Sequence, residues 1–368
     1  MESKLTFIGF AGIADPPREE IPHAIRVAQT AGIQTIMITG DNELTAYAIG
    51  KQIGLVGKGD EVITGSQLAQ MTQEELKAKL SHIRVFARTT PEQKLYIVRT
   101  LQSQGHIVSV TGDGVNDALA LKQADVGVAM GKAGTDVAKE ASDMIITDDN
   151  YATLVTAVEE GRGIYDNMKS SIKYLIGCNI GEIIGILGGA MLGWPLILTP
   201  LQILYMNLAT DGLQAIALAM NPKSTSIMQR KPIKAGELFA QKDWVWFLET
   251  SLITAAFTLL AFWIGNSTGG VVLGRTLAFV AIVLCQQWIY LDITSMDQTI
   301  FSRNIWKNPW MILPVLVFIS QITYPYIPFM QSIFKLSSPN IQTLTLVIVI
   351  TSGILMVSEL RKRTTKIL

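Results

Sequence analysis

Past Lys173 the chain becomes a succession of apolar stretches, each as long as the roughly 20 residues a helix needs to cross a bilayer, and such stretches restrict the second half to a helical membrane domain. Up to about Tyr165 the text is that of an ordinary soluble α/β protein. At 368 residues the chain is too long for one compact core, and its 30 basic and 30 acidic residues leave no net charge to attract nucleic acid. Both cysteines, Cys178 and Cys285, lie in apolar stretches. They suggest no disulfide framework and no CxxC metal site, but small buried apolar residues. No cleavable signal is expected before the soluble half, because Met1 runs almost directly into a strand-like segment, residues 5–14.

Strand and helix signals alternate through the soluble half as they do in a parallel, Rossmann-type α/β sheet. Strands are expected over 5–14, 34–39, 85–88, 107–110, 126–129 and 144–147, with helices over 18–32, 43–53 and 92–104 and after Asn116; residues 56–80 form a polar excursion. The phosphate-type signals fall at carboxyl ends of these strands, where open α/β sheets bind ligands. Asp15 follows the first strand, Thr39-Gly40-Asp41 the second and Asp113 a later one. The run TGDGVNDALAL, residues 111–121, carries the most chemistry. Gly112 and Gly114 let bare backbone approach a phosphate, Asp113 is placed to bind Mg²⁺ through oxygen, and Asn116 and Asp117 open the following helix. A βα turn with an aspartate N-cap explains one acidic residue, but not two that are four apart with an asparagine between. Lys94, just after Pro91, supplies a cation for a phosphoryl oxygen. Taken alone it reads as a solvated surface lysine.

Six membrane spans are expected near residues 171–192, 196–218, 244–264, 272–291, 310–328 and 341–358. Lys223, Arg230, Lys231, Lys234 and Lys242 fall in one loop, Arg303 and Lys307 in another, and Arg361, Lys362, Arg363 and Lys366 in the tail; the opposite side carries only Arg275 and Lys335. The positive-inside bias therefore puts the soluble half and the C-terminus in the cytosol. Residues 150–173 read as a helix running into the first span, a means of coupling the two halves mechanically. Polar groups inside a bilayer are costly and need a reason. Asn179 and Glu182 share one helix face, and Asn207, Thr210 and Asp211, at i, i+3 and i+4, share another. Two carboxylates with amide and hydroxyl oxygens suit a hard cation such as Ca²⁺. Interhelical hydrogen bonding, about 0.6 kcal/mol each, explains Asn207 or Thr210 better than it explains two acids. Gly181, Gly185, Gly188 and Gly189 read as close-packing positions.

DPPR at Asp15, ITGDN at Ile38, PEQK at Pro91 and TGDGVNDALAL at Thr111 resemble, in order and spacing, the phosphorylation domain of P-type cation-transporting ATPases, a branch of the haloacid-dehalogenase-like fold. The resemblance implies an α/β portion followed by an all-α bundle of six transmembrane helices, with the boundary near residue 160. It implies that Thr39 and Lys94 hold an aspartyl phosphate, that Asp113 binds Mg²⁺, and that Asn116 and Asp117 complete the site. Asp15, Gly40, Asp41, Arg88, Gly112 and Gly114 would line the catalytic and nucleotide-facing side, with ATP and Mg²⁺ as cofactors of the complete pump.

NxxE followed by NxxTD resembles the calcium-pump branch, which makes Asn179, Glu182, Asn207, Thr210 and Asp211 the ligands of a transported Ca²⁺. By alignment through TSMDQT, the acidic ligand of two-site calcium pumps falls on Gln286, a neutral and weaker donor, so one Ca²⁺ per cycle is expected. The DKTGT nucleophile, the nucleotide-binding and actuator domains and four earlier helices are not among these residues. The 368 residues are therefore expected to be inactive alone and to need the amino-terminal part, carried on the same or a separate chain. The expected setting is the lipid bilayer of the plasma membrane. A monovalent-cation pump portion and a non-catalytic, pump-derived membrane protein are the alternatives; a soluble phosphatase of the same fold does not accommodate six spans.

Overall fold

The computed structural model describes residues 8–9, 16–233, 238–295, 299–300 and 306–365. The strand expected over 5–14 lies almost wholly outside the described residues, as do Asp15, Lys234, Arg303 and Lys366. The chain forms two compact units, residues 1–160 with 225–235, and residues 161–224 with 236–368.

In the first unit the elements run α1 (Ile21–Thr30), β1 (Met37–Ile38), α2 (Glu43–Gln52), β2 (Glu61–Thr64), α3 (Gly65–Gln70), α4 (Gln73–Lys79), β3 (Ile83–Ala87), α5 (Pro91–Ser103), β4 (Ser109–Gly112), α6 (Ala118–Gln123), β5 (Val126–Met130), α7 (Asp136–Glu140) and β6 (Met144–Ile146). Among the described residues every strand pairing is parallel, in two three-stranded sheets of order β1-β3-β2 and β4-β5-β6. The polar excursion expected over 56–80 folds as β2, α3 and α4. Thr64 and Thr72 each make a capping box, with Gln67 and Glu75, and these boxes start the two short helices.

The central strand β3 carries a bulge. Glu61 pairs with Ile83 but Val62 with Val85, so Arg84 is an extra residue and the side-chain alternation slips by one. Ile83 and Phe86 consequently enter one core with Ile63, Leu68, Leu76 and Ile97, while Val85 and Ala87 enter the opposite core with Ile25, Ala46 and Leu55. Arg84 itself stays at the edge, 3.4 Å from Asp60. Residues 225–235 belong to this unit: Met228 packs with Ala24, Ala28 and Val155, and Ile227 is buried. Gly32 has φ 75°, and a Cβ there would lie 2.9 Å from Pro232 Cδ, so this approach needs a glycine twice over.

The second unit is helical. Its first element, α8 (Tyr151–Met191), begins in the first unit. A run of helix follows as α9 (Pro200–Tyr205), a π-helical turn Met206–Asp211 and α10 (Gly212–Ala219). The long helix α11 (Gln241–Ser295) breaks at Gly269 (φ −152°, ψ 21°) and Gly270 (φ 77°, ψ −177°). Its halves fold back on each other: a Cβ on Gly265 would sit 2.7 Å from Gly274 Cα, and at the far ends Trp246 Nε1 donates to Asp292 Oδ2 at 3.0 Å. Then come α12 (Ile312–Thr323), α13 (Pro328–Phe334), α14 (Ile341–Thr351) and α15 (Gly353–Thr365).

Among the described residues three helices are long and apolar enough to cross a membrane, Tyr151–Met191, Gln241–Ser295 and Ile341–Lys362, and the bent pair Pro309–Tyr326 with Pro328–Phe334 makes up to four. The count of six expected segments is met only in part: the 55-residue helix, turned at its glycine pair, covers two of them, and the second, over 196–218, is divided by the π turn and is not among these spans.

A glycine seam joins α8 to the first half of α11. A Cβ on Gly177 would lie 2.9 Å from the Trp246 ring, on Gly181 3.2 Å from Thr254, and on Gly188 3.0 Å from Leu259, which is the packing role read from the sequence. A charged cluster closes the same helices at one end. Asp243 takes Lys173 at 2.8 Å and Lys169 at 3.2 Å; Lys173 lies 4.4 Å over the Trp246 ring. The buried carboxylate of Asp292 receives Arg361 at 2.5 Å, Lys362 at 3.2 Å, the Trp246 indole and the Ser358 hydroxyl.

Candidate phosphate and cation sites

In the first unit, Thr39 leaves β1 donating its N–H to Phe86 O of β3 at 2.9 Å, and its hydroxyl accepts the Asp41 N–H at 3.1 Å. The end of β3 closes the same turn. Arg88 N–H donates to Asp41 O at 3.0 Å, Thr89 N–H to Thr39 O at 3.2 Å, and Arg88 takes a left-handed φ of 52°. Thr39, Gly40, Asp41 and Arg88 thus form one cluster at the carboxyl ends of two adjacent parallel strands, the last three exposed.

Immediately beyond, Thr90 caps α5 in a box with Gln93, and Pro91 occupies its first turn. Gln93 also donates to Gly65 O at 2.7 Å, where a Cβ would come within 2.4 Å of Arg88 O. This helix start holds Glu92 below the usual carboxylate range through its own backbone N–H and the Thr90 hydroxyl. From the fixed first turn, Lys94 Nζ reaches Asp117 Oδ1 at 2.6 Å.

The two aspartates of the glycine turn have different situations. Asp117 is buried, one oxygen on Lys94 and the other accepting the Gly114 N–H at 3.3 Å. Gly112 leaves it that space, since a Cβ there would lie 2.5 Å from Asp117 Cβ. Asp113 is exposed at the end of β4, its carbonyl accepting the Thr135 N–H at 2.8 Å, and Asn116 is exposed beside it. Among the described residues no three His, Cys, Asp or Glu side chains converge on a metal position. A phosphate-bridged Mg²⁺ needs only one or two protein carboxylates, the remainder being waters and phosphate oxygens. An exposed Asp113 among glycines fits that donor set.

In the second unit, Glu182 of α8, the π-turn residues Thr210 and Asp211, and Gln286 of α11 are all buried. Gln286 joins three helical segments: Nε2 donates to Glu182 Oε1 at 2.9 Å and Oε1 accepts the Thr210 hydroxyl at 3.0 Å. Asp211 Oδ1 accepts from the Tyr174 hydroxyl at 3.0 Å, whereas Asp211 Oδ2 is buried with no partner among the described residues. A bare buried carboxylate oxygen is expensive unless a cation meets it.

The remaining two expected ligands sit differently. Asn179 is part-buried and donates to Leu175 O at 2.8 Å; Asn207 is exposed and donates to Ile203 O at 3.1 Å. The π turn accounts for Asn207. A turn closed by i→i+5 bonds advances less per residue than an α-helix, so residues 207, 210 and 211 do not share one face as α-helical spacing predicts. Sequence reading missed Tyr174 and Gln214, both fully buried at this site. A signal existed: Tyr174, Cys178 and Glu182 follow one stripe at i, i+4 and i+8, and Gln214 lies three after Asp211.

A parallel α/β unit with this glycine-aspartate turn, joined to membrane-length helices with buried acids, is the carboxyl-terminal part of a P-type cation-transporting ATPase. Residues 3–125 match the haloacid dehalogenase-like hydrolase family, and residues 195–364 match the family described as cation transporting ATPase, C-terminus. The relatives that this chain is similar to are named calcium-transporting ATPases. The chain is 44% identical over 337 residues to a calcium-transporting ATPase of Bacillus subtilis, covering 90% of this chain and 38% of that protein. It is 39% identical over 380 residues to calcium-transporting ATPase 1 of Bacillus cereus (98% of this chain, 43% of that one). With calcium-transporting ATPase 2, endoplasmic reticulum-type, of Arabidopsis thaliana the figures are 35% over 430 residues, 98% and 41%. The chain thus spans well under half the length of these relatives. It is a multi-pass membrane protein.

Proposed function

We propose that the chain is part of an ATP-driven Ca²⁺ pump working through an aspartyl phosphate, residues 1–160 being the cytosolic phosphorylation-domain portion and residues 161–368 the last six membrane helices, in the plasma membrane with a cytosolic C-terminus. The observation that carries the reading is the buried pair Glu182 and Asp211 with an orphaned carboxylate oxygen between membrane-length helices. Two carboxylates match the charge of one Ca²⁺, and Thr210 and Asn179 add neutral oxygens, whereas the exposed Asn207 stands apart from them. Gln286, its amide already committed on both sides, braces Glu182 and adds little to the ion. One Ca²⁺ per cycle follows.

On the cytosolic side Asp113 holds Mg²⁺, which neutralises charge on the transferred phosphoryl group. Thr39 and Lys94 face that group, with Lys94 aligned by Asp117, while Asn116, Gly112 and Gly114 shape the turn and Gly40, Asp41 and Arg88 line the ATP side. The nucleophile is not among these 368 residues, so they do not turn over ATP without the amino-terminal part.

Ca²⁺ titration of phosphoenzyme formation in the complete protein tests this. Glu182→Gln and Asp211→Asn should each raise the half-activating Ca²⁺ at least about 10-fold, and Gln286→Ala less, with a Hill coefficient near one. Activation by Na⁺ or K⁺ in place of Ca²⁺ would sink the reading, and a coefficient clearly above one would sink the single-ion stoichiometry.

A further inference from the structure

Tyr174 is completely buried on α8, and its hydroxyl lies 3.0 Å from Asp211 Oδ1 and 2.6 Å from Gln214 Oε1. A phenol carries one proton and cannot donate to both oxygens. Gln214 Nε2, meanwhile, is buried with no partner among the described residues. Turning the Gln214 amide over settles the conflict over the proton: Nε2 then donates to the Tyr174 oxygen, and the phenolic proton is committed to Asp211 Oδ1. The Gln214 oxygen then takes the position without a partner that Nε2 held, and Asp211 Oδ2 also has no partner among the described residues. Glu182 repeats the pattern on the same helix as Tyr174, one of its oxygens being held by a neutral donor, Gln286.

We propose that Tyr174 and Gln214 are positioning residues for the transported cation, a two-step donor chain that ties one oxygen of Asp211 and presents the other to the metal as a single, fixed ligand. The inference rests on the cation reading above and adds to it the residues that set the carboxylate's orientation. Metal-bound carboxylates depend on such outer partners, whose loss typically costs 10- to 100-fold in affinity, roughly.

The test is equilibrium binding of radiolabelled Ca²⁺ to the complete protein in membranes, alongside phosphoenzyme formation. Tyr174→Phe removes only the hydroxyl; it should weaken Ca²⁺ binding roughly 10-fold while leaving maximal phosphoenzyme at saturating Ca²⁺ unchanged. Gln214→Ala, which breaks the chain one step earlier and leaves the tyrosine in place, should shift binding in the same direction by a smaller factor. Asp211→Asn is the reference. If it loses Ca²⁺ binding while Tyr174→Phe and Gln214→Ala both bind like wild type, the positioning role is wrong and the cation reading stands. Wild-type binding by Asp211→Asn would overturn the cation reading itself. Heat stability lowered in the Tyr174 and Gln214 variants with the half-saturating Ca²⁺ unmoved would show a packing role and overturn the proposal.

Discussion

At the scale of single residues, the phosphate site turns on the absence of one methyl group. Gly112 lies against Asp117, and an added Cβ would stand 2.5 Å from Asp117 Cβ and 2.8 Å from its carboxyl carbon. Gly112→Ala should therefore displace Asp117 from Lys94 and destabilise the first unit by about 1–3 kcal/mol, the usual cost of overpacking. Urea unfolding of the chain followed in that unit checks the size, and a variant as stable as wild type would show that the turn can yield. Residue types and spacing in TGDGVNDALAL announced this turn, but not the division of labour in which Asp117 is spent on Lys94 and Asp113 stays exposed. That depends on α5 being capped at Thr90, one helix and one strand earlier in sequence. Tyr174 escaped notice for a related reason: a tyrosine in an apolar run reads as packing until its partner across the helix pair is known.

At the scale of elements, parallel strands and long helices were legible because their periodicity is local, whereas junctions were not. The bulge at Arg84 shows this, since alternation alone would put Ile83, Val85 and Ala87 on one face. So does the π turn, which moved Asn207 off the face it was assigned. The break in α11 at Gly269-Gly270 falls between the spans expected over 244–264 and 272–291. The ion cluster at the end of that hairpin was not legible. Asp292 is buried and bonded to Arg361, Lys362 and Trp246, so Asp292→Ala removes the buried counter-charge of two cations and leaves Arg361 to Glu249 at 3.2 Å and Lys362 to Glu359 at 3.8 Å. Arg361 is 29% exposed and can recover some hydration, which places the expected loss near the lower limit, about 3 kcal/mol. Heat denaturation in detergent measures it. The double variant Asp292→Leu with Arg361→Leu should be closer to wild type than Asp292→Ala, and the reverse order would refute the argument.

At the scale of the whole molecule, composition changes near Tyr165–Lys173, while the compact units of the structure divide near residue 160 and take residues 225–235 into the first. Their lysines and arginines marked a cytosolic loop; nothing local said that Met228 packs with Ala24, Ala28 and Val155. A fragment of residues 1–160 should accordingly be less stable than the same residues in the full chain by about 3 kcal/mol, the cost of losing one large buried side chain. Pulse proteolysis compares the two, and equal resistance would contradict the packing described. The same contact imposes an order on biosynthesis. Residues 16–160 leave the ribosome before 225–235, and the residues between them carry two of the proposed spans. At roughly 5–20 residues per second, the first unit waits several seconds with Ala24 and Ala28 packed on Val155 but without Met228. Met228 can join them only after both of those spans have been made, so that this contact is among the last the first unit acquires.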